Sequence, residues 1–446
     1  MFIDIIVLLV IISISMLFLF WAEIKGAVDR LSEGFQSGSD SGNSAAFQTQ
    51  LASLSQTYDP ISNKHQDVNA LLQNSSTQMP ANEQCLVNFF CLGCRFTGYM
   101  GPFNNGFFDA NEAVRYACKA GCRTFVLEID YADDCSDSNG EPTYFPKLVV
   151  RDSQGKSVVN TSGYQPTCNS LTHSNIRDVC TSINSHAFAH GNPAANDPVI
   201  VVLYLLRMPP KTKGAPKLYL NYMSDIAKCI EPLVQRHVDN VVSGGTFTRQ
   251  KQEGKLLTNP ITDYQGRILI FSNADTTAFR NETTYAPNED LDYLVNLRLT
   301  YMQTKLGSTG TAKGGAFGLV ETAETYLIIP PDQIESIASS TKLQWTLCLS
   351  ADPAVPVSET TYNAITSEFG VHCVPIQLWD KNNGFMFTDD TFGTYSFVPK
   401  PEALRFVQPP IAVPAEPSTQ TDAKGGALRP PVVASAATAS SGPGSN

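Results

Sequence analysis

The chain has 446 residues, 42% of them hydrophobic and 10% aromatic, with a formal net charge of −11. That is ample apolar material for one large core or two modest ones, and the acidic balance argues against an exposed nucleic-acid groove. Of the 11 cysteines, eight crowd the first half (Cys85, Cys91, Cys94, Cys118, Cys122, Cys135, Cys168, Cys180), while Cys229, Cys348 and Cys373 are sparse. This density predicts an oxidising compartment, several disulfides and at least one thiol left over. Zinc is a rival reading, because Cys91 and Cys94 are spaced CxxC, but no second CxxC follows, and the HxxxH of His186 and His190 stands far beyond zinc-finger spacing. Buried unpaired thiols are the plainer alternative.

From Ile5 to Trp21 the chain is apolar except at Ser13 and Ser15. With its flanks this run just crosses a hydrocarbon core of ~30 Å, and Trp21 stands where an interfacial aromatic belongs. No basic residue precedes it, so an uncleaved single-pass anchor is expected rather than a signal peptide. Lys25 and Arg30 pull the body toward the cytoplasm. The cysteines, together with sequons at Asn74, Asn160 and Asn281, place it on a lumenal, extracellular or otherwise oxidising side, and the cysteines carry the expectation. Residues 1–31 are read as anchor and flank, 32–84 as a polar stalk, 85–407 as the folded body and 408–446 as a disordered Pro/Ala/Ser/Gly tail.

The body alternates apolar strands with helical patterns, the α/β signature. Expected strands cover residues 86–90, 124–129, 147–150, 199–206, 267–271, 326–329, 345–349 and 373–378. Helical patterns cover 111–119, 175–187, 219–238, 290–301, 331–339 and 359–368. Eight strands with helices between them suit a closed (β/α)₈ barrel. A Gly/Thr/Ser-rich segment makes 276–317 a candidate insertion between halves at 85–275 and 318–407. The central strand ends in two acids, Glu128 and Asp130. Spaced by two residues they share one face, at the barrel end that carries chemistry.

The stretch from Gly121 to Asp130, GCRTFVLEID, resembles the X box of phosphoinositide-specific phospholipase C. NIRDVCTSINSHAF from Asn175, DYQGRILIF from Asp263 and YSFVPKPEALRF from Tyr395 are similar to later segments of that family, in the same order. The resemblance runs from Cys85 to Phe406 and implies a (β/α)₈ TIM barrel that cleaves an inositol-lipid phosphodiester with two histidines and calcium. Glu128 and Asp130 match two of the acidic calcium ligands. The position of the first histidine reads Phe96, followed by Thr97 where the family has a metal-binding Asn. The second reads Arg151, followed by Asp152. A third calcium ligand is missing, and Arg207 stands there as an ion-pair partner for Glu128 or Asp130. The phosphate-gripping Lys is replaced in the stretch Phe271, Ser272, Asn273, and the Arg-Val-Tyr-Pro site reads Ser350, Ala351, Asp352, Pro353.

A phenyl ring accepts no proton, and an arginine stays protonated at neutral pH. The resemblance therefore predicts a membrane-anchored pseudoenzyme with a structural or binding role, of a kind that would suit a membrane-containing virion. Two alternatives stand beside it. One is a divergent phosphoric diester hydrolase using Glu128, Asp130, Arg151 and Asp152, with Ca²⁺ at the twin acids. The other is a non-catalytic binder of a phosphoinositide headgroup. Of the six histidines, only His173 sits where it could rescue the mouth; His65, His186, His190, His237 and His372 fall in the stalk, on helices or at the wrong barrel end. No other cofactor is expected. The partners expected are the membrane, a lipid headgroup or a protein, and no nucleic acid.

Overall fold

The structure, a computed structural model, describes residues 41–74, 79–131, 144–159, 174–209, 216–238, 255–282, 284–286, 288–302 and 317–408. The expected anchor from Ile5 to Trp21 and the tail after Gln408 lie outside these residues. Among the described residues no helix is long and apolar enough to cross a membrane.

Two helices come first, α1 (Ser41–Ser62) and α2 (Val68–Gln73). They replace much of the stalk expected over 32–84. The few large apolar residues there, Phe47, Leu51, Leu54, Tyr58 and Ile61, recur at three- and four-residue steps, which lines one helix face. Leu54 and Tyr58 are buried, and the Tyr58 hydroxyl donates to the Leu378 carbonyl at 2.8 Å. Asp67 caps α2 by accepting from the Ala70 amide at 3.0 Å.

The strands then run β1 (Phe89–Cys91), β2 (Gly93–Cys94), β3 (Tyr99–Gly101), β4 (Phe107–Phe108), β5 (Thr124–Tyr131), β6 (Pro146–Leu148), β7 (Val199–Leu205), β8 (Ile268–Ser272), β9 (Leu297–Thr300), β10 (Phe317–Thr322), β11 (Thr346–Leu349) and β12 (Phe397–Pro399). The further helices are α3 (Ala110–Lys119), α4 (Asn175–Ala187), α5 (Pro216–Cys229), α6 (Glu231–Val234), α7 (Leu291–Leu294), α8 (Ala323–Leu327), α9 (Pro331–Thr341) and α10 (Glu359–Phe369). One parallel sheet takes the order β2, β5, β7, β8, β9, β10, β11. Residues 373–376 join its two edges through parallel bridges Leu347 to Cys373 and Cys94 to Ile376. The Cys348 amide donates to the Cys373 carbonyl at 2.9 Å, and the Ile376 amide to the Gly93 carbonyl at 2.8 Å. The strand ring is thus consistent with an eight-stranded α/β barrel.

Side chains alternate between two layers, as the period of two requires. Phe125, Leu127 and Ile129 pack outward with helix residues such as Val114, Ile176 and Val179. Val126, Val202, Phe271, Leu299, Val320 and Leu347 fill the interior above Trp345.

Several sequence expectations change. Residues 86–90 form a 3₁₀ turn and the start of β1, which pairs antiparallel with β12 off the ring; the first barrel strand is β2. Strand β6 is antiparallel to β5 and also lies off the ring. The YLII run at 326–329 belongs largely to α8 and its end: Thr322 caps that helix by accepting from the Thr325 amide at 3.3 Å, and a short apolar run alone cannot separate helix from strand. Two true barrel strands, β9 and β10, lie in or next to the supposed insertion. In β9 the alternation Leu297, Arg298, Leu299, Thr300 is buried and half-buried in turn, a period of two hidden inside a longer apolar run that reads as helix.

The disulfide framework is corrected as well. Cys85, Cys91, Cys94, Cys118, Cys122, Cys180, Cys229, Cys348 and Cys373 are all free and buried, while Cys135 and Cys168 lie outside the described residues. Burial pushes the Cys118 thiol up to about 12 and Cys229 up to about 11. These thiols behave as small apolar side chains in a packed interior.

Candidate functional site

Strand β5 positions the twin acids. Asp109 caps α3, accepting from the Glu112 amide at 2.9 Å, so the helix starts with an Asp-x-x-Glu box. It ends at Gly121, whose φ of +90° turns the chain back into β5. Glu128 and Asp130 share the inward face of Val126 and are 4% and 1% exposed. They meet the ends of neighbouring strands there: Arg95 follows β2, Arg207 follows β7, Asn273 follows β8, Tyr301 follows β9 and Ser350 follows β11.

Both carboxylates are taken by arginines. Arg95 Nε lies 2.6 Å from Glu128 Oε1, and its Nη1 donates to the Ser350 carbonyl at 3.0 Å. Arg151 Nη2 is 2.7 Å from Asp130 Oδ2, and Arg207 Nε is 2.7 Å from Asp130 Oδ1. The Tyr131 amide donates to the same Oδ1 at 2.7 Å. Arg207 also lies over the Tyr131 ring, 4.2 Å from its centroid. Three guanidinium groups against two carboxylates leave this cluster with a surplus of one positive charge.

A calcium ion asks for six to eight oxygen ligands. Here three of the four carboxylate oxygens, Glu128 Oε1 and both of Asp130, already accept from N–H donors, and three fixed positive charges stand beside them. The residues therefore do not fit a divalent cation.

The remaining expected positions are spent on structure. Phe96 is buried with φ +55°, stacked on Trp379 at 5.8 Å between ring centroids and beneath the Arg95 guanidinium. Such a φ is costly for a bulky side chain, and this packing holds it. Thr97 Oγ1 is within hydrogen-bond reach of the Val126 and Cys94 carbonyls, at 3.1 and 3.3 Å. Asp152 closes its own hairpin turn, accepting from the Gln154 and Lys156 amides at 3.0 and 2.8 Å. Asn273 pairs with the Leu205 backbone in both directions, at 2.8 and 3.0 Å. Tyr204 faces Tyr301 at 3.3 Å between hydroxyls, and burial with that neighbour pushes its phenol well above its usual range.

None of the five described histidines reaches these acids. His372 is buried at the opposite barrel end, between Thr346 and the Val87 carbonyl. His237 contacts the Leu294 carbonyl at 2.8 Å and bridges to Ile268 at the start of β8. His186 meets Asn111 on the helix layer, His65 packs on Gly121, and His190 is an exposed loop residue. His173 lies outside the described residues.

The structure thus brings together Glu128, Asp130, Arg151 and Arg207, and turns Asp152 to a loop. Sequence reasoning missed Arg95. The signal is the run Leu92 to Arg95, whose strand β2 is only two residues long and follows a longer apolar run that reads as the first barrel strand.

No protein-family model and no curated protein sequence matches the chain. Among solved structures it is similar to L. pealei PLC21, at 14% identity and a TM-score of 0.44, covering 76% of this chain and 41% of that one. It is also similar to the calcium-dependent phosphoinositol-specific phospholipase C of a Pseudomonas species, at 9% identity and a TM-score of 0.40, covering 72% and 96%. A third is the Ca²⁺-dependent phosphatidylinositol-specific phospholipase C of Streptomyces antibioticus, at 8% identity and a TM-score of 0.35, covering 66% and 95%. The chain spans well under half the length of the L. pealei protein.

Proposed function

We propose that this chain is a phospholipase C-like barrel acting as a binding or structural module rather than as a hydrolase. The observation that carries the reading is Asp130 held between Arg151 and Arg207. Phosphodiester cleavage needs a group that takes a proton and one that gives it back, and removing either costs roughly two to four decades in rate. A guanidinium steadies charge but does not exchange a proton at neutral pH. The position of the expected base holds the buried ring of Phe96.

The surplus positive charge at the mouth favours an anionic lipid headgroup over a cation as its occupant. Membrane attachment through Ile5 to Trp21 belongs to this proposal; the free thiols remove the cysteine argument for an oxidising side. The competing reading, a divergent diester hydrolase, needs Glu128 or Asp130 as a free base, and both are ion-paired.

Purified protein incubated with phosphatidylinositol vesicles, with and without calcium, is expected to release no inositol phosphate. Turnover that disappears in Glu128→Ala would overturn the proposal in favour of the hydrolase. In the same series, protein lacking residues 1–21 is expected to float with phosphatidylinositol liposomes and not with phosphatidylcholine ones. Equal behaviour on both leaves the structural role and removes headgroup binding.

A further inference from the structure

A second polar cluster lies at the other end of the barrel, between the helical arm of residues 41–73 and the strands. Arg123 opens β5 and is fully buried, as is Asp197 just before β7; His65, in the link between α1 and α2, is 5% exposed. Arg123 Nη1 donates to the Ala187 carbonyl at the end of α4, at 2.7 Å. Asp197 Oδ1 accepts from the Val68 amide, the first of α2, at 2.7 Å. The arm adds the Gln66 amide to the Thr394 carbonyl at 2.8 Å and the Asn196 amide group to Asp67 at 3.2 Å. His65 lies so close to Gly121 that an added Cβ would come within 2.3 Å of its ring.

Five polar atoms of this cluster have no hydrogen-bond partner among the described residues: Arg123 Nε and Nη2, Asp197 Oδ2 and both ring nitrogens of His65. The Ala120 and Thr394 carbonyls lie near the ring but off hydrogen-bond geometry. Leaving buried polar atoms unpaired is costly, and native interiors satisfy such groups with each other or with internal water. A cation, an acid and a neutral imidazole gathered at one docking seam therefore have their protonation tied to whether the arm is seated.

We propose that Arg123, Asp197 and His65 form a proton-compensated clasp that holds the arm of residues 41–73 against the N-terminal face of the barrel. Asp197 faces Arg123 and Asp67; His65 faces Arg123; Arg123 faces Asp197 and the thiols of Cys118 and Cys122. Burial pushes Asp197 up to about 6, against the pull of Arg123. Burial and then the Arg123 charge push His65 down to about 4. The signs oppose. The seated arm holds a proton on Asp197 that the open arm releases, so acidification through pH 6 tightens docking. The seated arm also refuses a proton that His65 accepts when open, so acidification from pH 6.5 loosens docking. Over the same interval the two effects nearly cancel, and each is unmasked by removing the other.

The test is hydrogen–deuterium exchange of residues 41–73 in the detergent-solubilised full chain between pH 7 and 4, corrected for intrinsic exchange. One pKa unit of differential protonation is tenfold in an opening equilibrium. Wild type is expected to change only a few-fold. In Asp197→Asn the arm is expected to open roughly 100-fold more at pH 4 than at pH 7. In His65→Gln it is expected to open at least about tenfold less. A purely structural clasp would move the level of protection and not its pH slope. A flat profile or a slope of the opposite sign in either variant overturns the proposal, as does a steep profile in wild type. Should Asp197→Asn fail to fold, His65→Gln decides by the same criterion.

Discussion

Arg95 and Glu128 show at single-residue scale why the barrel mouth is a locked site. Glu128 is almost fully enclosed and Arg95 is buried beside it, so each charge is tolerable only because the other is 2.6 Å away. Removing one partner of a buried pair strands the other, at about 3–5 kcal/mol, whereas replacing both by apolar groups of similar volume is often neutral or stabilising. Arg95→Met is thus expected to destabilise the fold by about 3–5 kcal/mol in a urea titration, and the double variant Arg95→Met, Glu128→Leu to recover most of that loss. A single variant as stable as wild type would mean that Glu128 is solvated rather than locked. The carboxylates were legible in the sequence because a two-residue spacing fixes their face, and Arg207 through the resemblance that sets it in place of a calcium ligand. Arg95 was not, because its strand is only two residues long and carries no periodicity.

The elements were legible in proportion to how regular their patterns are. Helix α4 and strands β5, β7 and β8 stand within a residue or two of expectation, because each has an uninterrupted pattern between clear caps and turns. Strand β9 and helix α8 were exchanged in type, since both are short apolar runs whose period is set by tertiary partners. The arm was misread for a different reason. Its polar composition suggested a spacer, but one stripe of five apolar residues is enough to seat a helix. Leu54 lies in that stripe and is buried. Leu54→Ala is expected to cost ~2–5 kcal/mol and to speed amide exchange across residues 41–62. A change within about 0.5 kcal/mol, the usual scale for a surface position, would return the segment to the status of a stalk.

At the scale of the whole molecule, the cysteine count misled more than the fold pattern did. Density alone pointed to cross-links, yet the nine described cysteines are free thiols buried in the interior, a use that composition does not distinguish from a disulfide framework. The barrel itself is carried by segments spread from Cys85 to Phe406, so its legibility rested on their order rather than on any one of them. Where the sequence resemblance implied calcium and two imidazoles, the barrel mouth presents three guanidinium groups around two acids. The most direct measurement of this substitution is a calorimetric titration of the purified chain with calcium at neutral pH, alongside Asp130→Ala. The arginine-locked mouth predicts no saturable heat in either protein; one-to-one binding in wild type that vanishes in Asp130→Ala would contradict it.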